Sequence, residues 1–277
     1  MKTTLLTITT FLMLYSCKEQ AKEVKTIEKE VKTIEKEVTT VVEAKPAQDL
    51  FYHYSIWYAF VNKVFKGNLT AGELKQKGSI GLGSYSQLDG ELIMLDGVLY
   101  RATQDGAVTI AEDEDKIIYA NATFFDNEKS FDLKDVANYE SLREAINGNL
   151  KSKNVFHAFK IHGEFNSIKL GGLHKQEEPF ENGLDVLIPN RPIFKGENVK
   201  GTMVGFFCPD FIGQINVAGY HLHFVSDDKK LAGHVMEFDA KSLQVQMDYM
   251  YEYQFVLPET EAYENVGFDA EFQYHKK

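Results

Sequence analysis

The sequence predicts an α+β fold in which antiparallel β-structure dominates and helices are few and short. Asp-Gly pairs at 89–90, 96–97 and 105–106 separate short apolar runs, which is the pattern of successive β-hairpins. A further pair of apolar runs brackets a polar turn within residues 219–238, GYHLHFVSDDKKLAGHVMEF. Helical patterns are confined to short stretches such as 141–150, SLREAINGNL.

The stretch 219–238 also gathers three histidines. His221 and His223 flank Leu222, so in a strand both imidazoles project from one face. A turn centred on the pair 228–229 places His234 directly opposite His223, where Cβ atoms are about 5 Å apart. We therefore predict three imidazoles around one point.

Three histidines with open positions are typical of a catalytic zinc and not of a closed structural one. The chain has eight histidines, and an isolated His-x-His pair is weak evidence because a lone histidine is usually structural or solvated. The third histidine across the hairpin favours a Zn²⁺ site. Imidazole also suits iron, copper and nickel, so spacing alone leaves the metal open.

Composition narrows the class of protein. A chain of 277 residues with 44% apolar content can bury a sizeable core, as one large domain or two halves. The net charge of −11, without a basic stripe, argues against a nucleic-acid partner.

Residues 1–17, MKTTLLTITTFLMLYSC, have the features of an export signal. Its end resembles a bacterial lipoprotein signal, which predicts cleavage before Cys17 and a lipid anchor on it, facing the periplasm or the cell surface. A plain secretory signal is the alternative. Cys208 then has no partner for a disulfide and is predicted to be a small buried apolar residue.

Residues 18–48 form a predicted charged stalk before a domain at 49–277. Val and Ile recur at alternating spacings of three and four, and EVKTIEK occurs twice. This heptad pattern allows a coiled coil, but the flanking glutamates would repel in parallel chains. A solvated helical spacer is favoured.

The remaining elements are predicted from local patterns. Glu91 starts a strand directly after a tight turn, where its carboxylate is either a solvated charge or an inward acid–base group. The other predictions, in chain order, are a short helix in the continuation of the aromatic run 51–60 up to Gly67, a helical turn at 69–75, a strand at 156–165 paired with 167–173, loops at Pro179, Pro192 and Gly196, a strand at 200–209 and a last strand near 249–257.

Three stretches, 81–97, 194–209 and 219–235, together resemble the alpha-acetolactate decarboxylase family over roughly residues 50 to 257. The resemblance implies two mixed or antiparallel β-structures packed together, with a metal at their mouth. It also implies conversion of 2-acetolactate, a 2-hydroxy-3-keto acid, to acetoin and CO₂, with zinc as the Lewis acid. A homodimer would be compatible with it.

The resemblance also assigns residues. It matches His221, His223 and His234 to metal ligands and Glu91 to an acid–base group. Ser84 stands where the family usually has a pocket-lining threonine. Glu271 is the weakly aligned counterpart of a second catalytic glutamate near the C-terminus, with 259 and 261 behind it.

One departure from the family's sequence pattern affects the predicted activity. A family arginine, implied to bind the substrate carboxylate or supply a proton, falls on Gly171. Lys169, His174 or Arg191 could supply a cation instead, and Arg191 is the substrate-binding candidate. The leading hypothesis is an exported acetolactate decarboxylase. The alternative is a catalytically impaired zinc-binding surface lipoprotein of the same fold, and a third is adhesion or assembly through the stalk.

Overall fold

A computed structural model describes residues 49–270 together with Lys25, Lys29 and Lys32, which are helical and exposed. The export signal with Cys17, the remainder of the stalk and Glu271 lie outside the described residues. Within the described part of the chain, no helix is both long and apolar enough to cross a bilayer.

The domain contains thirteen strands and five short helices among its described residues. The strands are β1 (Leu50–Tyr54), β2 (Leu69–Thr70), β3 (Ile80–Tyr85), β4 (Glu91–Leu95), β5 (Val98–Ala102), β6 (Val108–Ile110), β7 (Lys116–Thr123), β8 (Lys129–Val136), β9 (Phe156–Gly171), β10 (Ile193–Cys208), β11 (Gly219–Ser226), β12 (Ala232–Met250) and β13 (Glu252–Val256). The helices are α1 (Trp57–Val61), α2 (Ala71–Lys75), α3 (Tyr139–Asn147), α4 (Leu184–Leu187) and α5 (Glu261–Glu264).

The strands form two sheets. The first has the order β13-β1-β7-β3-β4-β5-β6, with β2 added to β7, and its β1–β13 pair is parallel. The second has the order β11-β10-β9-β12-β8. Because β11 also pairs with the start of β12, the strands β11, β10, β9 and β12 close into a ring at that end. The predicted α+β fold with few helices is confirmed.

A shared apolar core joins the sheets. Leu82 and Ile93 of the first sheet belong to one buried cluster with Val204 and Phe206 of the second. Phe51 completes it, with ring centroids 4.8 Å apart from Phe206. Side chains of this size each contribute about 1.5–3 kcal/mol on burial, so this core fixes one sheet against the other.

Several local predictions are confirmed. Asp96 and Gly97 both have positive φ, 51° and 80°, as a two-residue turn between β4 and β5 requires. The predicted helix at 141–150 is α3, which starts two residues earlier at Tyr139. Cys208 is buried, 2% exposed, within the apolar core.

Three predictions were wrong. The helix expected after the aromatic run, up to Gly67, lies earlier, at Trp57–Val61, and residues 62–67 are not helical. Residues 167–173 are not a separate partner, because β9 continues to Gly171 and pairs with β10 and β12. Gly196 lies inside β10, where a Cβ would come within 2.5 Å of Leu231 Cδ2. That glycine therefore serves close packing and not a turn.

Candidate metal centre

The hairpin of β11 and β12 brings the three histidines together. His223 pairs with His234, as the sequence predicts, and His221 precedes His223 by two residues on the same face. Their ring centroids are 5.0–5.3 Å apart, and one nitrogen from each ring lies within 4.8 Å of the others. This cluster could hold a metal ion.

The spacing of one pair of nitrogens suits a tetrahedral ion. His221 Nε2 lies 3.2 Å from His234 Nδ1. Two ligands of one tetrahedral zinc, each at the usual Zn–N distance, are about 3.3 Å apart. The donor set and its spacing therefore fit zinc without rearrangement of this pair.

The third imidazole is oriented by the other sheet. His223 is 1% exposed, and its Nδ1 lies 2.8 Å from the Leu92 carbonyl oxygen, a geometry in which Nδ1–H donates. That bond leaves Nε2 free to face the cluster as a ligand, which is the usual outer support of a metal-binding histidine. Burial lowers the pKa of His223 to about 4, and those of His221 and His234 well below the ordinary value. All three rings are thus neutral, the form that binds metal.

Glu91 points inward, beside the histidines. It opens β4, is 7% exposed, and its Oε2 lies 3.7 Å from His223 Nε2. Burial raises the pKa of Glu91 to about 7, and the nearby positive charge of Arg191 opposes this rise. The local sequence left the direction of this carboxyl open, because β4 is covered by β11 and β12 of the second sheet.

Ser84 is the cross-strand neighbour of Glu91 on β3. It is 4% exposed, and its Oγ donates to the Gly90 carbonyl oxygen over 3.4 Å. The structure therefore places Ser84 next to the carboxylate, on the face of the first sheet that carries the site.

Arg191 is the one of the three proposed cations whose charge reaches the centre. It follows α4, is partly buried, and lowers the pKa of Glu91 and of all three histidines. Lys169 instead pairs with Glu237 at 3.2 Å, and His174 contacts the Asn190 carbonyl oxygen at 3.1 Å.

A buried polar network beside the site was missed by the sequence reasoning. Asn216, 1% exposed, donates to Asn121 Oδ1 at 3.0 Å and to the Tyr253 hydroxyl at 3.2 Å, and it accepts from the Tyr119 hydroxyl. It ties the loop before β11 to β7, whose Tyr119 is the cross-strand partner of Ser84. No local pattern marks Asn216, because its partners are far away in sequence.

The fold and site define a two-sheet α+β protein with a three-histidine centre, partly buried, that could hold a metal. The sequence profile of the alpha-acetolactate decarboxylase family matches residues 51–270. The chain therefore belongs to the alpha-acetolactate decarboxylase family, and the names of its relatives support a carboxy-lyase.

Individual relatives agree with this assignment. The chain is 33% identical to the alpha-acetolactate decarboxylase of Methanosarcina mazei over 202 residues, covering 73% of this chain and 70% of that one. It is 32% identical to that of Brevibacillus brevis over 221 residues, covering 79% and 77%. The crystal structure of alpha-acetolactate decarboxylase from Bacillus subtilis strain 168 matches with a TM-score of 0.77 at 30% identity, covering 80% of this chain and 94% of that one.

Proposed function

We propose that this protein is an acetolactate decarboxylase, which converts 2-acetolactate to acetoin and CO₂ with a zinc ion held by His221, His223 and His234. The observation that carries the proposal is the cluster of three neutral imidazoles, one buried and two half-buried, beside the buried carboxyl of Glu91, in a chain of this family. Three nitrogen ligands would leave open positions on the ion for the substrate.

The chain's own residues have distinct roles in this proposal. His221, His223 and His234 would hold the ion, which when bound would supply a Lewis acid to the substrate's oxygens. Arg191 binds the substrate carboxylate and orients it. Loss of CO₂ leaves an electron pair that is delocalised onto the ketone oxygen as an enediolate, and Glu91 delivers the proton that the carbon then takes up. Ser84 lines the pocket, and Glu271 is a second acid–base group.

The test measures bound metal and acetoin release in one sample of the purified full-length chain. We expect stoichiometric zinc and turnover of acetolactate. His223→Ala should lose both, because it removes one of three ligands. Glu91→Gln should keep the zinc and lower kcat by about 10²–10⁴-fold, the usual contribution of a positioned acid–base group. A zinc-loaded wild-type protein without turnover would refute the activity and support a zinc-binding surface protein.

The identity of the ion has its own test. Zinc is proposed because neutral imidazoles at this spacing fit its tetrahedral geometry. The chelated protein should regain activity with Zn²⁺. If activity returned with Fe²⁺, Cu²⁺ or Ni²⁺ and not with Zn²⁺, the assignment of zinc would be wrong and the ion that restores activity would take its place.

We further propose that the chain is exported and anchored through a lipid on Cys17, that residues 18–48 act as a spacer, and that the domain forms a homodimer. A Cys17→Ser variant should move from the membrane fraction to the soluble fraction. Light scattering of the detergent-free variant then measures its mass.

A further inference from the structure

Gly171 and Arg191 share one small volume beside the metal centre. Gly171 is the last residue of β9 and pairs with His234 across the sheet. A Cβ at position 171 would lie 2.8 Å from Arg191 Cδ and 2.9 Å from Arg191 Nη1. Real Cβ atoms do not approach so closely. The absent side chain of Gly171 thus leaves the space through which the arginine passes.

The arginine side chain is held at its base by a backbone carbonyl. Its Nε donates to the Ile188 carbonyl oxygen at 3.2 Å, and Gly172 N–H donates to the Pro192 carbonyl oxygen at 3.0 Å, which ties the arginine loop to the end of β9. Among residues 49–270, no carboxylate lies within 4 Å of the guanidinium. A partly buried guanidinium that contacts no carboxylate of residues 49–270 is suited to bind an anion, and its planar fork matches a carboxylate.

We propose that Gly171 is a positioning residue for Arg191, and that glycine at 171 and arginine at 191 form one subsite for the carboxylate of a 2-hydroxy acid. The inference rests on the proposed function and deepens it, because it names the residue that sets where the carboxylate binds. Arg191 touches the ligand, whereas Gly171 acts only by leaving room.

The test compares two ligands on the zinc-loaded full-length protein by calorimetry. The probes are 2-hydroxyisobutyrate, which has the carboxylate, and acetoin, which lacks it. Arg191→Ala should weaken 2-hydroxyisobutyrate binding about 10- to 100-fold, the range for a lost hydrogen bond to a charged group. Gly171→Ala should weaken it about tenfold or more by displacing the guanidinium, and neither variant should change acetoin binding.

A double-mutant cycle separates positioning from damage to the site. If Gly171 acts through Arg191, then Gly171→Ala should cause no further loss in the Arg191→Ala background. The matched control is Gly172→Ala, whose Cβ would meet Phe194 at 3.2 Å and Pro192 at 3.4 Å but not the arginine. It should bind both probes as the wild type does.

Three results would overturn the inference. The first is an equal loss of affinity for both probes in Gly171→Ala. The second is an undiminished effect of Gly171→Ala in the Arg191→Ala background, and the third is loss of zinc in Gly171→Ala. Each would mean that residue 171 acts through the backbone of its neighbour His234. Failure of the proposed function is recognised separately. In that case Arg191-dependent binding of 2-hydroxyisobutyrate would persist while acetolactate is not decarboxylated.

Discussion

Asp248 offers a test of how burial of one carboxyl affects the stability of this fold. It lies on β12 opposite Ala158, is 0% exposed, and accepts one hydrogen bond, from Asp126 N–H at 3.0 Å. Its Oδ1 has no partner among the described residues. Burial, reinforced by the negative charge of Glu128 and opposed by the Asp126 N–H, raises the pKa of Asp248 from 3.8 to about 7.

The sign of the pH dependence follows from proton binding. Between about pH 4 and pH 7 the folded state keeps a proton on Asp248 that the unfolded state has lost. The free energy of unfolding therefore falls as the pH rises through this window. The full shift corresponds to about 4 kcal/mol at 1.36 kcal/mol per unit. We expect about 2 kcal/mol, because the protein interior screens charge more strongly than a dry medium.

The perturbation is Asp248→Asn, a neutral side chain of the same shape. Urea unfolding of both proteins in chelator at pH 5, 6, 7 and 8 gives the difference in free energy. The variant should gain about 1 kcal/mol between pH 5 and pH 8 relative to the wild type, because the rest of the effect falls between pH 4 and pH 5. Burial lowers the pKa of His53 to about 3 and that of His157 to about 4, which makes stability fall below pH 6.5. This effect is the same in both proteins and cancels.

A matched control removes one negative charge elsewhere. Asp132→Asn lies at an exposed position of β8 and should show a difference from the wild type that does not vary over the same pH range. If the Asp248→Asn difference were also constant with pH, the carboxyl would be ionised in the folded state throughout. That result would refute the reasoning that its burial disfavours the charge.

Two further predictions concern stability. Thr70→Ala should lower the free energy of unfolding by about 1 kcal/mol, because Thr70 and Glu73 form a reciprocal capping box at the start of α2; Thr70→Ser should retain it, and equal losses in both would contradict the capping role. Ile161→Ala should cost about 2–5 kcal/mol in urea unfolding, since Ile161 is fully buried. Ile110→Ala, at a position 64% exposed, should cost much less, and similar costs would contradict the packing argument.

The sequence was most informative where neighbours along the chain are also neighbours in space. The histidine register depends only on strand period and turn position, and it matches the pairing of His223 with His234. The turn at Asp96 is likewise local. By contrast, the length of β9 was mispredicted because its partners, β10 and β12, are remote and impose an extended backbone through Gly171.

The surroundings of the histidines depend on contacts between residues that are far apart in the sequence. The sequence left Glu91 undecided between solvent and interior, because β4 is covered by β11 and β12 of the other sheet, which are remote in sequence. Arg191 was one of three possible cations, and only the packing of its loop against β9 distinguishes it from Lys169 and His174. Asn216 was missed for the same reason, since its partners lie on β7 and β13.

One strand of the first sheet determines two features of the centre. Glu91 supplies the carboxyl, and the carbonyl of the next residue, Leu92, accepts the bond from His223 Nδ1. Consecutive Cα atoms are about 3.8 Å apart, so the acid–base group and the support of the ligand cannot move independently. A one-residue shift of β4 would exchange its faces and remove both at once. The shared core of Leu82, Ile93 and Phe206 therefore holds the proposed catalytic geometry as well as the fold.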